Sequence, residues 1–137
     1  MILGIGIDSV ETVRCAPWIH YTNQQLARVF SQPEITYCLA QPHVAAQRFA
    51  ARFAAREALF KALCALDPGH QVPFLTLCSQ VTIMKTVRGT PHMTINWPAL
   101  TLYNLELPLP EPTVHLSITH TESTATVYVI IEAATYR

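Results

Sequence analysis

The sequence predicts an α+β fold, and two observations carry that prediction. One long Ala-rich helical pattern occupies the middle of the chain, from about Pro42 to Leu66. The second half then changes to short alternating or apolar runs separated by turn residues. The 137 residues suffice for one compact domain, residues 1–137, and are too few for two ordinary ones.

The elements follow in order. An almost continuous apolar run, Ile2 to Asp8, reads as the first strand, with Gly4 and Gly6 marking close backbone approach or tight packing. Helical segments are expected around Val10 to His20 and Gln24 to Phe30, with Asp8 or Ser9 suited to cap the first, and Pro33 suits the opening turn of a third. The long helix carries Phe49, Phe53 and Phe60 on one stripe, and Asp67-Pro68-Gly69 ends it. Gln80 to Val87 and His92 to Trp97 read as two paired strands joined by the turn Arg88-Gly89-Thr90-Pro91. A proline-rich passage, Trp97 to Pro112, leads to two last strands, Val114 to Thr119 and Thr124 to Glu132.

Composition narrows the function. Half of the residues are hydrophobic and the formal charge is zero, so neither nucleic acid nor a membrane surface is advertised as a partner. Activity must come from a local site. Cys15, Cys38, Cys64 and Cys78 lack C-x-x-C spacing and mostly sit in apolar stretches, which points to reduced, buried thiols. The first apolar run is too short for a signal segment and lacks a basic flank, so a soluble, cytoplasmic protein is expected.

Three groups of residues carry chemistry. Glu57 and Lys61 stand four apart on the long helix, in a row with Phe53 that turns by about 40° per step. An exposed pair of this kind would add only about 0.2–0.5 kcal/mol to the helix. Lys61, however, is one of only two lysines, with Lys85, and a carboxylate beside a buried stripe is partly desolvated and favours a cation. Asp8, delivered by the first strand, is the natural second oxygen ligand, and two hard carboxylates suit Mg2+ better than zinc. His120 closes a strand whose Ser117, Thr119 and Thr121 present small hydroxyls to one face, a pattern able to hydrogen-bond phosphate. The other five histidines lack ligand spacing, and no G-x-S-x-G elbow supports a serine hydrolase.

In order and spacing these residues resemble the holo-acyl-carrier-protein synthase type of 4'-phosphopantetheinyl transferase. Members open with G-I-G-x-D-x-x-E, matched by Gly4 to Glu11, carry R-F-A-x-K-E-A-x-x-K-A, matched by Arg52 to Ala62, and finish with S-x-S/T-H, matched by Ser117 to His120. The resemblance implies that family's fold, with one long helix packed against a small, mainly antiparallel sheet. It also implies Mg2+-dependent transfer of the phosphopantetheine arm of coenzyme A to a serine of an apo acyl carrier protein. On the matching positions it makes Asp8 and Glu57 the metal ligands, Glu57 and Lys61 the catalytic pair, and Lys61 the contact to pyrophosphate. Arg52 and His120 then grip nucleotide phosphates, with Arg56, Ser117, Thr119 and the turn Gly89-Thr90-Pro91 on the coenzyme A side. Arg14 and Arg28 would meet the acidic carrier, and a homotrimer with sites between subunits is implied.

The chain also departs from the pattern. Arg56 stands where lysine is usual, Cys64-Ala65-Leu66 replaces a Gly-Thr-Gly, and Gly89-Thr90-Pro91 replaces a Gly-Lys-Pro. A proline-rich passage stands where a helix usually follows. These changes leave open a non-catalytic relative that binds carrier or nucleotide without turnover, and a hydrolase that passes pyrophosphate to water. The proton acceptor for the serine is Glu57 or a metal-bound water.

Overall fold

The apolar N-terminal run forms strand β1, Ile2–Glu11, in the computed structural model, which describes residues 1–135. A short helix α1, Thr12–Cys15, runs into a 3-10 segment, Ala16–His20, and then α2, Asn23–Leu26, and α3, Gln32–Leu39. Capping boxes open α2 (Thr22 with Gln25) and α3 (Ser31 with Glu34), and Pro33 sits in the first turn of α3 as expected. The long helix α4 spans Pro42–Leu66, the limits read from the sequence, and stops at Asp67. There follow α5, Phe74–Ser79, the hairpin β2, Val81–Lys85, and β3, Pro91–Ile95, then α6, Trp97–Thr101, β4, Thr113–His120, and β5, Thr124–Glu132.

Several expectations need correction. β1 continues three residues past Asp8 because Ser9, Val10 and Glu11 stay paired with Thr126, Ala125 and Thr124 of β5. Asp8 therefore lies within the strand, and neither it nor Ser9 caps a helix; the Ser9 hydroxyl meets that of Thr126 at 2.7 Å. α2 stops at Leu26, although turn hydrogen bonds carry the chain on to Phe30. Two short helices, α5 and α6, were not expected, and α6 opens the proline-rich passage with Pro98 in its first turn.

β1, β5 and β4 form one antiparallel sheet in that order, and β2 with β3 forms a second. α4 packs across the first sheet. Gly4 and Gly6 face it directly: a Cβ at either would collide with the carbonyl oxygen of Ala62 or Ala58. Glycine on the strand and alanine on the helix thus let the two backbones touch. Ala125, Val127, Val129 and Ile131 of β5 complete this interface. On another side, Phe49 and Phe53 of α4 meet Trp18 edge-on, and Phe53 and Phe60 both meet Phe74. The aromatic stripe is therefore core.

A buried ion pair ties α3, α4 and β2 together. The Arg56 guanidinium donates to both carboxylate oxygens of Glu34, at 2.8 and 2.6 Å, and to the carbonyls of Cys78, Val81 and Arg52. Glu34 also accepts from Ser31 and from the Ile83 amide. Cys15, Cys38 and Cys78 are buried, and burial pushes their thiols up to about 11, 12 and 11. Cys64 is exposed, in contrast to the expectation of a buried thiol.

Candidate active site

α4 and β1 bring three distant residues together. Asp8 faces α4 from the same side of β1 as Gly4 and Gly6, so the missing side chains of those glycines let the helix come close enough for Glu57 and Lys61 to reach it. Lys61 Nζ donates to Asp8 Oδ1 at 2.9 Å and to the Ile7 carbonyl at 3.0 Å. Burial, then a hydrogen bond with the Asp8 carboxyl and its charge, raise the Glu57 carboxyl to about 7, against the lowering effect of Arg14 and Lys61. When both carboxylates are ionised no proton lies between them, and Asp8 Oδ2 is buried with no donor. Two hard oxygen groups facing each other with one lone-pair site unused fit a divalent cation of the Mg2+ kind, which keeps several positions for water and phosphate. Among the described residues no third His, Cys, Asp or Glu joins them.

A second locus lies near the start of α4. A cavity of about 340 Å³ is lined by Tyr37, Arg48, Arg52, Lys85 and His120, with Gly89 and Pro91 at its edge. Gln47 Nε2 donates to the Thr121 carbonyl at 3.0 Å and to His120 Nδ1 at 2.8 Å. A carbonyl can only accept, so the amide is the donor there; Nδ1 of His120 accepts, and Nε2 carries the proton. Arg52 is buried, 3.9 Å from Glu34, and its Nε has no hydrogen-bond partner. None of the cavity-lining side chains is a carboxylate.

The two loci are separate within one chain. Five residues from Arg52 to Glu57 turn the helix by about 140°, so the two side chains leave it on different sides. Asp8, Glu57 and Lys61 do not line the cavity. His120 lies on β4, two strands from Asp8 with β5 between.

Other expected site residues fall elsewhere. Arg56 is wholly buried with its donors engaged, so its place among the coenzyme A contacts is corrected: it is a structural anchor. Ser117 and Thr119 are exposed on the outer face of β4, opposite Ile118, so they do not share the cavity with His120. Thr90 is exposed on the hairpin, where only Gly89 (φ 81°) and Pro91 border the cavity. Arg14 and Arg28 are exposed and without an ion pair among the described residues, and Arg14 is close enough to lower the Glu57 carboxyl. Arg48, Lys85 and Gln47 were missed by the sequence reading; the scarcity of lysine was the one available signal for Lys85.

Comparison with known proteins gives concordant results. A model of the 4'-phosphopantetheinyl transferase superfamily matches residues 4–109. The holo-[acyl-carrier-protein] synthase of Treponema denticola is 35% identical over 132 residues, covering 96% of this chain and 99% of that protein. That of Trichlorobacter lovleyi is 36% identical over 136 residues, covering 97% and 99%. A crystal structure of the Bacillus anthracis holo-(acyl-carrier-protein) synthase in complex with CoA (3',5'-ADP) superposes with a TM-score of 0.74, at 25% identity over 98% of this chain and 99% of that one. The Helicobacter pylori synthase in complex with coenzyme A gives 0.67 at 26% identity, over 93% and 99%.

Proposed function

The chain belongs to the 4'-phosphopantetheinyl transferase superfamily, and from that membership we propose that it is a holo-acyl-carrier-protein synthase. It transfers the 4'-phosphopantetheine group of coenzyme A to a serine of an apo acyl carrier protein and releases adenosine 3',5'-bisphosphate. The observation that carries the reading is the Asp8–Glu57 carboxylate pair with Lys61 bridged to it, because the chemistry needs a cation site beside a pyrophosphate.

The serine hydroxyl of the carrier attacks the phosphorus that bears the pantetheine arm. A bond forms to the serine oxygen, and the bond to the bridging oxygen of the pyrophosphate breaks, so that oxygen departs on the bisphosphate. Glu57 is the group of this chain placed to take the serine proton. Lys61, whose ammonium is half exposed beside Asp8, turns to the pyrophosphate and offsets charge on the departing oxygen. Arg52 and the Nε2–H of His120 hold nucleotide phosphates, and exposed Arg14 and Arg28 meet the acidic carrier. Mg2+, held by Asp8 and Glu57, would supply charge neutralisation at the pyrophosphate.

The separation of the two loci supports a homotrimer in which His120 of one copy serves Asp8 and Glu57 of another. So does the outer face of the three-stranded sheet, where Ile5 is paired with Ile130 and Ile7 with Tyr128, and Ile5, Ile7 and Tyr128 are exposed. Native mass spectrometry should give three times the 15.3 kDa chain; a monomer with full activity would sink this assembly. We place the reaction in the cytoplasm, a reading supported by four free cysteines. No helix of the described residues is long and apolar enough to cross a membrane.

The direct test incubates the protein with coenzyme A, Mg2+ and a panel of apo carrier proteins and reads intact carrier masses. A gain of one phosphopantetheine arm, abolished by a chelator and restored by Mg2+, is expected. Transfer that persists without divalent metal would remove the metal from the reading, and no gain on any carrier with coenzyme A intact would leave a binding protein without turnover.

A further inference from the structure

Cys64 and His70 form a pair that the proposed transfer does not use. Of the four cysteines only Cys64 is exposed, and it opens the Cys64-Ala65-Leu66 stretch that replaces a Gly-Thr-Gly. Its Sγ lies 3.4 Å from His70 Nε2, while His70 Nδ1 accepts from the Val72 amide at 3.1 Å. With Nδ1 the acceptor, Nε2 carries the proton and points it at the sulfur. The ring has little freedom to turn away. Phe60 meets it edge-on at 5.7 Å, and the turn that folds it back over α4 is fixed by Asp67, which accepts from the Gly69 and Glu106 amides at 3.0 Å each. The pair also stands on the reaction face. The seven steps from Glu57 to Cys64 fall only about 20° short of two helical turns, so Cys64 continues the row of Glu57 and Lys61 about 10 Å further along α4.

We propose that Cys64, held against His70, is a thiol–disulfide exchange site for low-molecular-weight disulfides, and that a mixed disulfide there closes the neighbouring site to coenzyme A. The Cys64 sulfur attacks, as thiolate, one sulfur of the disulfide. A bond to Sγ forms as the S–S bond breaks, and the other half leaves as a thiolate that takes up the proton Cys64 gave up. Cys64 is oxidised and the departing half is reduced, so the disulfide is the only co-reactant. His70 Nε2–H faces the sulfur that bears negative charge in the attack. The other thiols are shut out, because Cys15, Cys38 and Cys78 are buried and burial pushes them up to about 11, 12 and 11. A glutathionyl group, three residues long, spans about 10 Å, enough to lie from Cys64 over Lys61 to Glu57. The closure rests on the proposed transferase reading; the exchange does not.

The test treats the native parent, Cys64→Ser and His70→Gln with glutathione disulfide near neutral pH, and with coenzyme A disulfide in a parallel arm. Adducts are read by intact and peptide mass, and transfer to one apo carrier is followed before and after a dithiol reductant. The parent is expected to take one adduct, on Cys64, and to lose transfer in step with it, with full recovery on reduction. Cys64→Ser should transfer within about twofold of the parent and resist both disulfides. His70→Gln should slow the adduct by about tenfold or more, the range one hydrogen bond to a charged group provides. The urea-unfolded parent supplies the rate of a Cys64 without its histidine, which keeps the comparison available if His70→Gln does not fold. A rate on native Cys64 no higher than in the unfolded chain, or adducts spread over several cysteines, would overturn the exchange site. Faster reaction with coenzyme A disulfide than with glutathione disulfide names the oxidised substrate as the source; equal rates name disulfides in general.

The adduct is read without any turnover, which separates this inference from the transferase reading. If the parent transfers nothing but Cys64 alone takes the adduct at a rate that depends on His70, the transferase reading fails and the exchange site stands. If transfer proceeds and a fully modified Cys64 leaves it unchanged, the transferase stands and the closure fails. If there is neither transfer nor a selective adduct, both fail.

Discussion

Glu57→Gln and Asp8→Asn should each reduce carrier modification by about 10²–10³-fold or more, the scale on which removal of one preorganised charge-stabilising group is felt in a transition state. Both exchanges keep side-chain size and remove one negative charge from a site whose task is to hold a cation beside a pyrophosphate. The loss should appear in kcat, because the contact is made most strongly as charge develops on the departing oxygen. Near-parental turnover in both variants would remove Asp8 and Glu57 from the mechanism.

Stability should move the other way for Glu57→Gln, which guards against reading the activity loss as misfolding. The folded carboxyl is raised from its ordinary 4.5 to about 7, first by burial and then by its hydrogen bond to Asp8 and the charge there. The native state therefore binds more proton than the unfolded chain between these values, and the metal-free protein loses stability as pH rises through that window. Gln carries no charge to repel. Unfolding followed in chelator should show the variant at or above the parent at pH 8, with the difference gone near pH 4.5. A variant less stable than the parent at pH 8 would mean that the carboxylate is held by favourable contacts and the repulsion argument is wrong.

The parts of this molecule that were legible in sequence are those set by local rules. The limits of α4 follow from an uninterrupted Ala-rich pattern and the Asp67 stop, and the hairpin turn from Gly89, whose φ of 81° suits glycine. The contact between β1 and α4 was half written: Gly4 and Gly6 indicated close approach, but only the fold shows that Ala58 and Ala62 are what they approach. The location of Ser117 and Thr119 could have been read, since the two-residue period of a strand places them opposite His120. α5 and α6, at six and five residues, are too short for periodicity to mark. What no local pattern contains is the partner of Arg56. A helical arginine next to Glu57 reads as surface, and the residue that buries it, Glu34, is 22 positions away on another helix.

Arg56→Ala is accordingly expected to lower the free energy of unfolding by about 3–5 kcal/mol, the loss that follows when one member of a buried ion pair is removed. The energy at stake is the loss of the hydrogen-bonded partner of a buried Glu34, more than the attraction itself. Glu34 is fully buried and would keep the Ser31 and Ile83 donors, with the Arg52 guanidinium 3.9 Å away as its one remaining cation, while losing both bonds from Arg56; the carbonyls of Cys78, Val81 and Arg52 would each lose one too. For a chain of this size the midpoint of thermal unfolding should fall by roughly 10 °C or more. Arg56→Lys should be milder, because the ammonium keeps the charge but has three donors where the guanidinium now serves both Glu34 oxygens and three carbonyls. Arg56→Met with Glu34→Leu should recover part of the loss, since it removes the stranded carboxylate, but not all of it, since it also removes the capping box that opens α3. The double variant decides the interpretation. If it is no more stable than Arg56→Ala, packing around the guanidinium, and not an unpaired Glu34, is what the single change destroys; and if Arg56→Ala unfolds within about 1 kcal/mol of the parent, the network is dispensable and the junction of α3, α4 and β2 is held by its apolar contacts alone.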